Sequence, residues 1–174
     1  MTLRDRLSTG SARSLGEADQ VAAEAADSRQ LVDELVDCVL DDDELVRMRA
    51  SDALEKVART RPEWVGPHAE RLLGKVALVD QPSVRWHLAQ ILAEIPLQPE
   101  QRERAVALLR RMLAEETDWI VLTCTMTALT DLCLDDATAK PWLGSLLRQH
   151  AGDPRPAVAK RAVVQARRLG VDLG

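Results

Sequence analysis

Val46, Val84, Val121 and Val158 stand 38, 37 and 37 residues apart, and each opens the same apolar pattern. At offsets +4, +7, +8 and +11 the first carries Ala50, Ala53, Leu54 and Val57, and the second Leu88, Ile91, Leu92 and Ile95. The third carries Thr125, Ala128, Leu129 and Leu132, and the fourth Ala162, Gln165, Ala166 and Leu169. These offsets share one face of a helix with 3.6 residues per turn. A helix rewritten at a fixed period near 37 residues cannot bury its stripe alone. Stacking like units against one another can, so the chain is constrained to a repeat array.

Each periodic helix has a partner before it. SRQLVDELVDCVL (28–40) opens at Ser28, a residue suited to capping a helix N-terminus. PHAERLLGKVAL (67–78) and PEQRERAVALLRRML (99–113) begin with Pro at the favoured first position. TAKPWLGSLLRQH (138–150) is the fourth, interrupted by Pro141 and Gly144. Tight turns (DDDE, VDQP, ETD, AGDPRP) separate the helices within a pair, and breaker clusters (RTRPEW, EIPLQP, CLDDAT) separate the pairs. Phe and Tyr are absent and the aromatic complement is four Trp, which argues against a β-sandwich or barrel. The expected fold is all-α without a β-sheet: about four antiparallel helix pairs at 28–60, 62–97, 99–134 and 137–170. They form a single domain over 17–174, preceded by a flexible Ser/Gly/Arg-rich segment, 1–16. Residues 17–27 (EADQVAAEAAD) read either as a helix capping the array or as part of the tail.

An acidic turn, Val-Arg, then Ala and Leu at helical spacing resembles the HEAT repeat, the unit of a right-handed α-solenoid. DDDELVRMRASDAL and VDQPSVRWHLAQIL carry the likeness best, whereas ETDWIVLTCTMTAL places Leu122 and GDPRPAVAKRAVV places Ala159 where the Arg belongs. The spellings of tetratricopeptide and ankyrin repeats do not occur in register. The resemblance implies that Arg47 and Arg85 are rungs of an internal ladder, bonded to turn acids, with Asp42 or Asp43 and Asp80 as partners. It implies a scaffold function as well.

The chain shows little chemistry. Three His (68, 87, 150) fall in three different repeats, there is no Cys-x-x-Cys and no His-Glu dipeptide, so neither a metal nor a cofactor is expected. Gly74-Lys75 lacks the spacing and the following Ser/Thr of a phosphate loop. Cys124 and Cys133 would sit about 13 Å apart along one helix, too far for a disulfide. Three cysteines without a framework, no apolar leader and no 20-residue apolar run suggest a cytoplasmic protein without a membrane span.

What remains is surface. Offsets +2, +6, +9 and +13 point away from the stripe, Arg59 and Ala93 among them, and are expected to line a groove for a protein or peptide partner. They supply Met48, Asp52, Glu55, Trp86, Gln90, Thr123, Thr127, Lys160 and Arg167 as candidate contacts, with Trp86 either anchoring a partner or folded down against a neighbour. Trp119 and Trp142, near helix starts, read as packing between repeats, and His87 as structural. A second reading, nucleic-acid binding of the HEAT-like DNA glycosylase kind, would use Trp86, Trp119, Asp118 and the basic fourth repeat. It conflicts with the acids of the first repeat and a net charge of -5. Eleven acids against Arg29 between Glu17 and Glu44, and five bases against Asp172 after residue 154, give the chain an acidic head and a basic tail. The expectation is a monomer or a weak head-to-tail associate.

Overall fold

The computed structural model describes residues 1–10 and 14–173. All regular structure among them is helical: α1 (Leu3–Ser8), α2 (Ala18–Ala25), α3 (Arg29–Cys38), α4 (Glu44–Thr60), α5 (Pro62–Val65) and α6 (Ala69–Gly74). The remainder are α7 (Pro82–Glu94), α8 (Pro99–Glu115), α9 (Trp119–Cys133), α10 (Lys140–Ala151) and α11 (Pro156–Leu169). The four periodic helices are α4, α7, α9 and α11. They stack in sequence as one layer, α4 on α7, α7 on α9 and α9 on α11, with α3, α8 and α10 packed behind α4, α9 and α11 and the 3-10 turn Val76–Leu78 behind α7.

The starts of these helices follow from local chemistry. Asp43 caps α4 by accepting from the amides of Leu45 and Val46, and Asp118 caps α9 through those of Ile120 and Val121. Such caps contribute about 1 kcal/mol each. Ser28 caps α3 as its residue type suggests, and Pro82, Pro99 and Pro156 occupy first-turn positions where a missing N–H costs nothing. The stripes are buried throughout: Val46, Leu54, Val84, Leu92, Val121, Leu129, Val158 and Ala166 all lie in one continuous core. Burying each large apolar side chain is worth roughly 1.5–3 kcal/mol, which is what holds an array of short helices together.

Two parts of the chain depart from the sequence expectation. The first helix of the second pair, expected unbroken over 67–78, is split into α5, a 3-10 turn at Gly66–His68, α6 and a second 3-10 turn at Val76–Leu78. Pro67 cannot donate the bond that a continuous helix needs. Gly66 lies against the turn behind it, where a Cβ would come within 3.0 Å of Pro96.

The second departure is at the N-terminus, expected to be flexible over 1–16. Residues 3–8 instead form α1, with a Thr2–Asp5 capping box and with Leu3 and Leu7 buried against α3 and α4. Residues 11–13 of that segment lie outside the described residues. Of the two readings left open for 17–27, the structure has the helix. α2 packs on α4 and buries Val21, Ala22 and Ala25, taking the place that a preceding repeat would occupy.

Candidate functional site

The second-helix layer has a forward and a backward edge, set by helical register. Offset +5 is the forward edge: Ser51, Ala89 and Met126 are 1%, 0% and 0% exposed, each closed off by the next helix. Offset +3 is the backward edge, occupied by Arg49, His87, Cys124 and Arg161. Across the α4–α7 seam His87 Nδ1 lies 3.1 Å from Ser51 Oγ. Across the α9–α11 seam Arg161 donates to Thr127 Oγ1 at 3.0 Å, and Arg168 bridges to Asp131 at 2.6 Å.

The candidate groove residues do not form one exposed stripe. Asp52, Glu55 and Thr123 are buried. Asp52 is held by Lys56 at 2.6 Å, Lys56 also reaches Asp19 of α2 at 2.5 Å, and Glu55 is paired with Arg59 at 2.6 Å. The forward face of α4 is covered by α7 beyond what offset counting foresaw, so these acids are seam residues with their charges already matched. Met48, Gln90 and Thr127 are half-buried, while Lys160 and Arg167 are exposed on α11. Trp86 is half-buried against the core, its ring edge-on to His87 with centroids 5.4 Å apart. Of its two expected positions it takes an intermediate one, folded onto its own layer.

A cleft opens where the four helices present a slightly different set. It has a volume of about 260 Å³ and is lined by Glu55 and Arg59 of α4, Gln90, Ala93 and Glu94 of α7, Cys124, Thr127 and Asp131 of α9, and Arg161 of α11. Glu55, Arg59, Gln90, Ala93 and Thr127 come from the offsets counted for the groove, Glu55 by its buried edge. Glu94, Cys124, Asp131 and Arg161 join them from offsets +3 and +10.

Arg47 and Arg85 both bond to turns, Arg47 with acceptors other than the turn carboxylates and Arg85 with one acid beyond Asp80. Arg47 donates to the main-chain carbonyls of Asp41 and Asp42 at 2.8 and 3.1 Å and to Gln81 of the next turn at 2.7 Å, so it meets no carboxylate of Asp42 or Asp43. Asp43 is engaged as the cap of α4. Arg85 lies 3.0 Å from Glu116 of the next turn and 3.7 Å from Asp80, which is 97% exposed, whereas the Glu116 side chain is 9% exposed. The rungs therefore point forward, from one repeat to the next. The rung missing at Leu122 is supplied in reverse by Arg155, which donates to the Thr117 carbonyl at 2.5 Å. Its neighbour Asp153 accepts from the same guanidinium, which holds that carboxyl down at about 2.

Sequence reasoning missed the most buried charge in the chain. Arg49 is wholly buried and donates to the carbonyls of Leu7 (2.7 Å), Thr9 (2.5 Å) and Ser14 (2.9 and 3.1 Å). Gly16, at φ +56°, lies against the guanidinium, where a Cβ would come within 2.9 Å of Cζ. The available signal was an Arg at the backward offset of the first repeat, which needs something behind α4 to bond. His87 holds the same offset one repeat later and is buried too. Desolvation pushes its imidazole down to about 4, against the pull of Asp52 at 3.6 Å, so it is neutral near pH 7.

Among the first helices a wider cleft of about 610 Å³ separates α8 from α10, with Val106, Leu132 and Trp142 in its walls and Arg110 stacked 4.8 Å above the Trp142 ring. Trp142 thus joins two repeats as expected. Trp119 does not, being 49% exposed at the start of α9. Burial pushes the Cys38 thiol up to about 11 and those of Cys124 and Cys133 upward as well, so none is a ready thiolate. Among the described residues no three His, Cys, Asp or Glu side chains converge as a metal site requires, and no helix is long and apolar enough to cross a membrane.

Stacked helix pairs, arginine rungs between successive turns and a cleft shared by four second helices define an α-solenoid. A family model described as HEAT repeat domain matches residues 3–140, and the chain belongs to that family. The fold is similar to that of an engineered protein solved by the Northeast Structural Genomics Consortium, at 18% identity and a TM-score of 0.64, covering 96% of this chain and 77% of that one. No curated protein is similar enough to match. HEAT repeats are in general protein-interaction modules.

Proposed function

We propose that this chain is a non-catalytic scaffold that binds a protein or peptide segment along the layer formed by α4, α7, α9 and α11. The observation that carries the reading is the cleft at Glu55, Gln90, Cys124, Thr127 and Arg161, where all four second helices contribute to a single concavity. Small residues (Ala93, Ala128, Thr127) share its lining with acids (Glu55, Glu94, Asp131) and bases (Arg59, Arg161). Such a lining suits a mixed-charge peptide. Met48 and Trp86, half-buried near the starts of α4 and α7, offer apolar surface for side chains on the same layer. The three carboxylates in the lining work against a phosphodiester backbone, which favours the scaffold over nucleic-acid binding.

The test compares partner lists recovered from native lysate by the wild type, by Met48→Ala with Trp86→Ala, and by Gln90→Arg with Arg161→Glu. Loss of a reproducible partner with either double variant, at unchanged thermal stability, supports this face as the recognition surface. An unchanged list from both variants removes it. Duplex DNA that shifts the protein at low salt would instead favour the nucleic-acid reading.

A further inference from the structure

The forward edge of the second-helix layer is closed by a neighbour in three repeats and open in the fourth. Offset +5 is 1%, 0% and 0% exposed at Ser51, Ala89 and Met126, but the same offset on α11 is Val163, 39% exposed, beside Val164 at 40%. Lys160 and Arg167 flank the two valines one turn to either side, and both are exposed. An apolar pair on a solvent-facing helix, at the register used elsewhere for stacking, is an unfilled copy of the seam between repeats. The opposite end of the array is finished differently. There α2 turns Gln20 and Ala23 outward, and Asp27 is exposed in the turn that follows the helix.

We infer that α11 docks onto α2 of a second copy of this chain, extending the second-helix layer from one molecule into the next. Three observations select this occupant. The faces match: Lys160, Val163/Val164 and Arg167 line one side of α11, while Gln20 and Ala23 line the outer side of α2 with exposed Asp27 just past its C-terminal end. With the helices parallel, as in a continued stack, the valines meet Ala23, whose small side chain permits close approach, and Arg167 meets Asp27. The charges match as well, a basic edge against an acidic cap. The self-matched alternative, α11 on α11, would bring Lys160 and Arg167 against their own copies, and like charges across an interface are unfavourable. The contact is heterologous and leaves both outer ends unsatisfied, so association is open-ended. It is small, so dissociation is expected in the range of about 0.1 mM and is weakened by salt.

Sedimentation velocity on the full chain, from about 10 µM to about 0.5 mM, tests this against the expected constant. The wild type should gain mass continuously with concentration. Val164→Glu, which blocks the tail, and Ala23→Arg, which blocks the head, should each remain monomeric at unchanged melting temperature, since both positions face solvent. An equimolar mixture of the two variants keeps one working end on each and should stop at a dimer. A wild type that stays monomeric throughout overturns the inference. So does a Val164→Glu variant that associates like the wild type, an Ala23→Arg variant that still dimerises through α11, or a mixture that remains monomeric.

Discussion

Replacing Arg49 by Met should release α1 (Leu3–Ser8) from the array while leaving the repeats folded. Met keeps most of the stem volume, so the core around α4 is not emptied. What is lost is the guanidinium that donates to Leu7, Thr9 and Ser14. If the segment stayed docked, the Leu7 carbonyl would be stranded in a buried setting and the other two weakened, at about 1–3 kcal/mol each. If it lets go, those carbonyls find water, but Leu3 and Leu7 come out of the core at roughly 1.5–3 kcal/mol each. Staying docked costs about 3–9 kcal/mol against about 3–6 kcal/mol for letting go, and detachment relieves all three carbonyls at once. The segment is also the part with fewest other ties, chiefly Arg4 to Asp41 and Arg6 to Glu17 and Glu24, ion pairs at or near the surface. Hydrogen exchange read by mass spectrometry should show the amides of Leu3–Ser8 losing protection in Arg49→Met, while those of α7 and α9 keep theirs. Urea unfolding should show a loss of no more than about 6 kcal/mol, set by undocking. Unchanged protection over residues 3–8 with a loss under about 1 kcal/mol would refute Arg49 as the clamp.

His87 should make the fold acid-sensitive. Its folded value near 4 lies below the ordinary 6.5, so both states are neutral above pH 6.5; below that the unfolded chain takes up the proton first and stability falls until about pH 4. The gap corresponds to roughly 3 kcal/mol, and His87→Gln should lack that part of the decline; parallel pH profiles for the two proteins would contradict it. Arg85→Met should cost about 2–4 kcal/mol in urea unfolding because it strands Glu116, whereas Asp80→Asn should cost under about 0.5 kcal/mol. Equal effects of the two would show that the rung belongs to Asp80. Asp43→Ala and Asp118→Ala should each lose about 1 kcal/mol by thermal melting through their caps, at the starts of α4 and α9.

The sequence by itself determined the period, the helix faces and most helix starts, because these are local properties. A stripe at 3.6-residue spacing has one buried side wherever it is placed, and Asp43, Asp118 and Pro156 act within one turn of themselves. The tertiary structure decided everything that depends on how far one helix slides over the next. Counting offsets put Asp52 in a groove, but it is buried beside His87 of α7, and although Glu55, Arg59, Gln90, Ala93 and Thr127 share the cleft, Glu94, Cys124, Asp131 and Arg161 join it from offsets the count passed over. Arg85 reaches Asp80, five residues away, at 3.7 Å in the open, but lies closer to Glu116, thirty-one residues on, at 3.0 Å, where the buried partner shields the pair from water. Arg49 carried no local sign of its role: its acceptors are main-chain carbonyls thirty-five to forty-two residues earlier, and any sequence provides carbonyls. Where a residue answers to its own helix, the sequence names its function; where it answers to a neighbour, only the packing does.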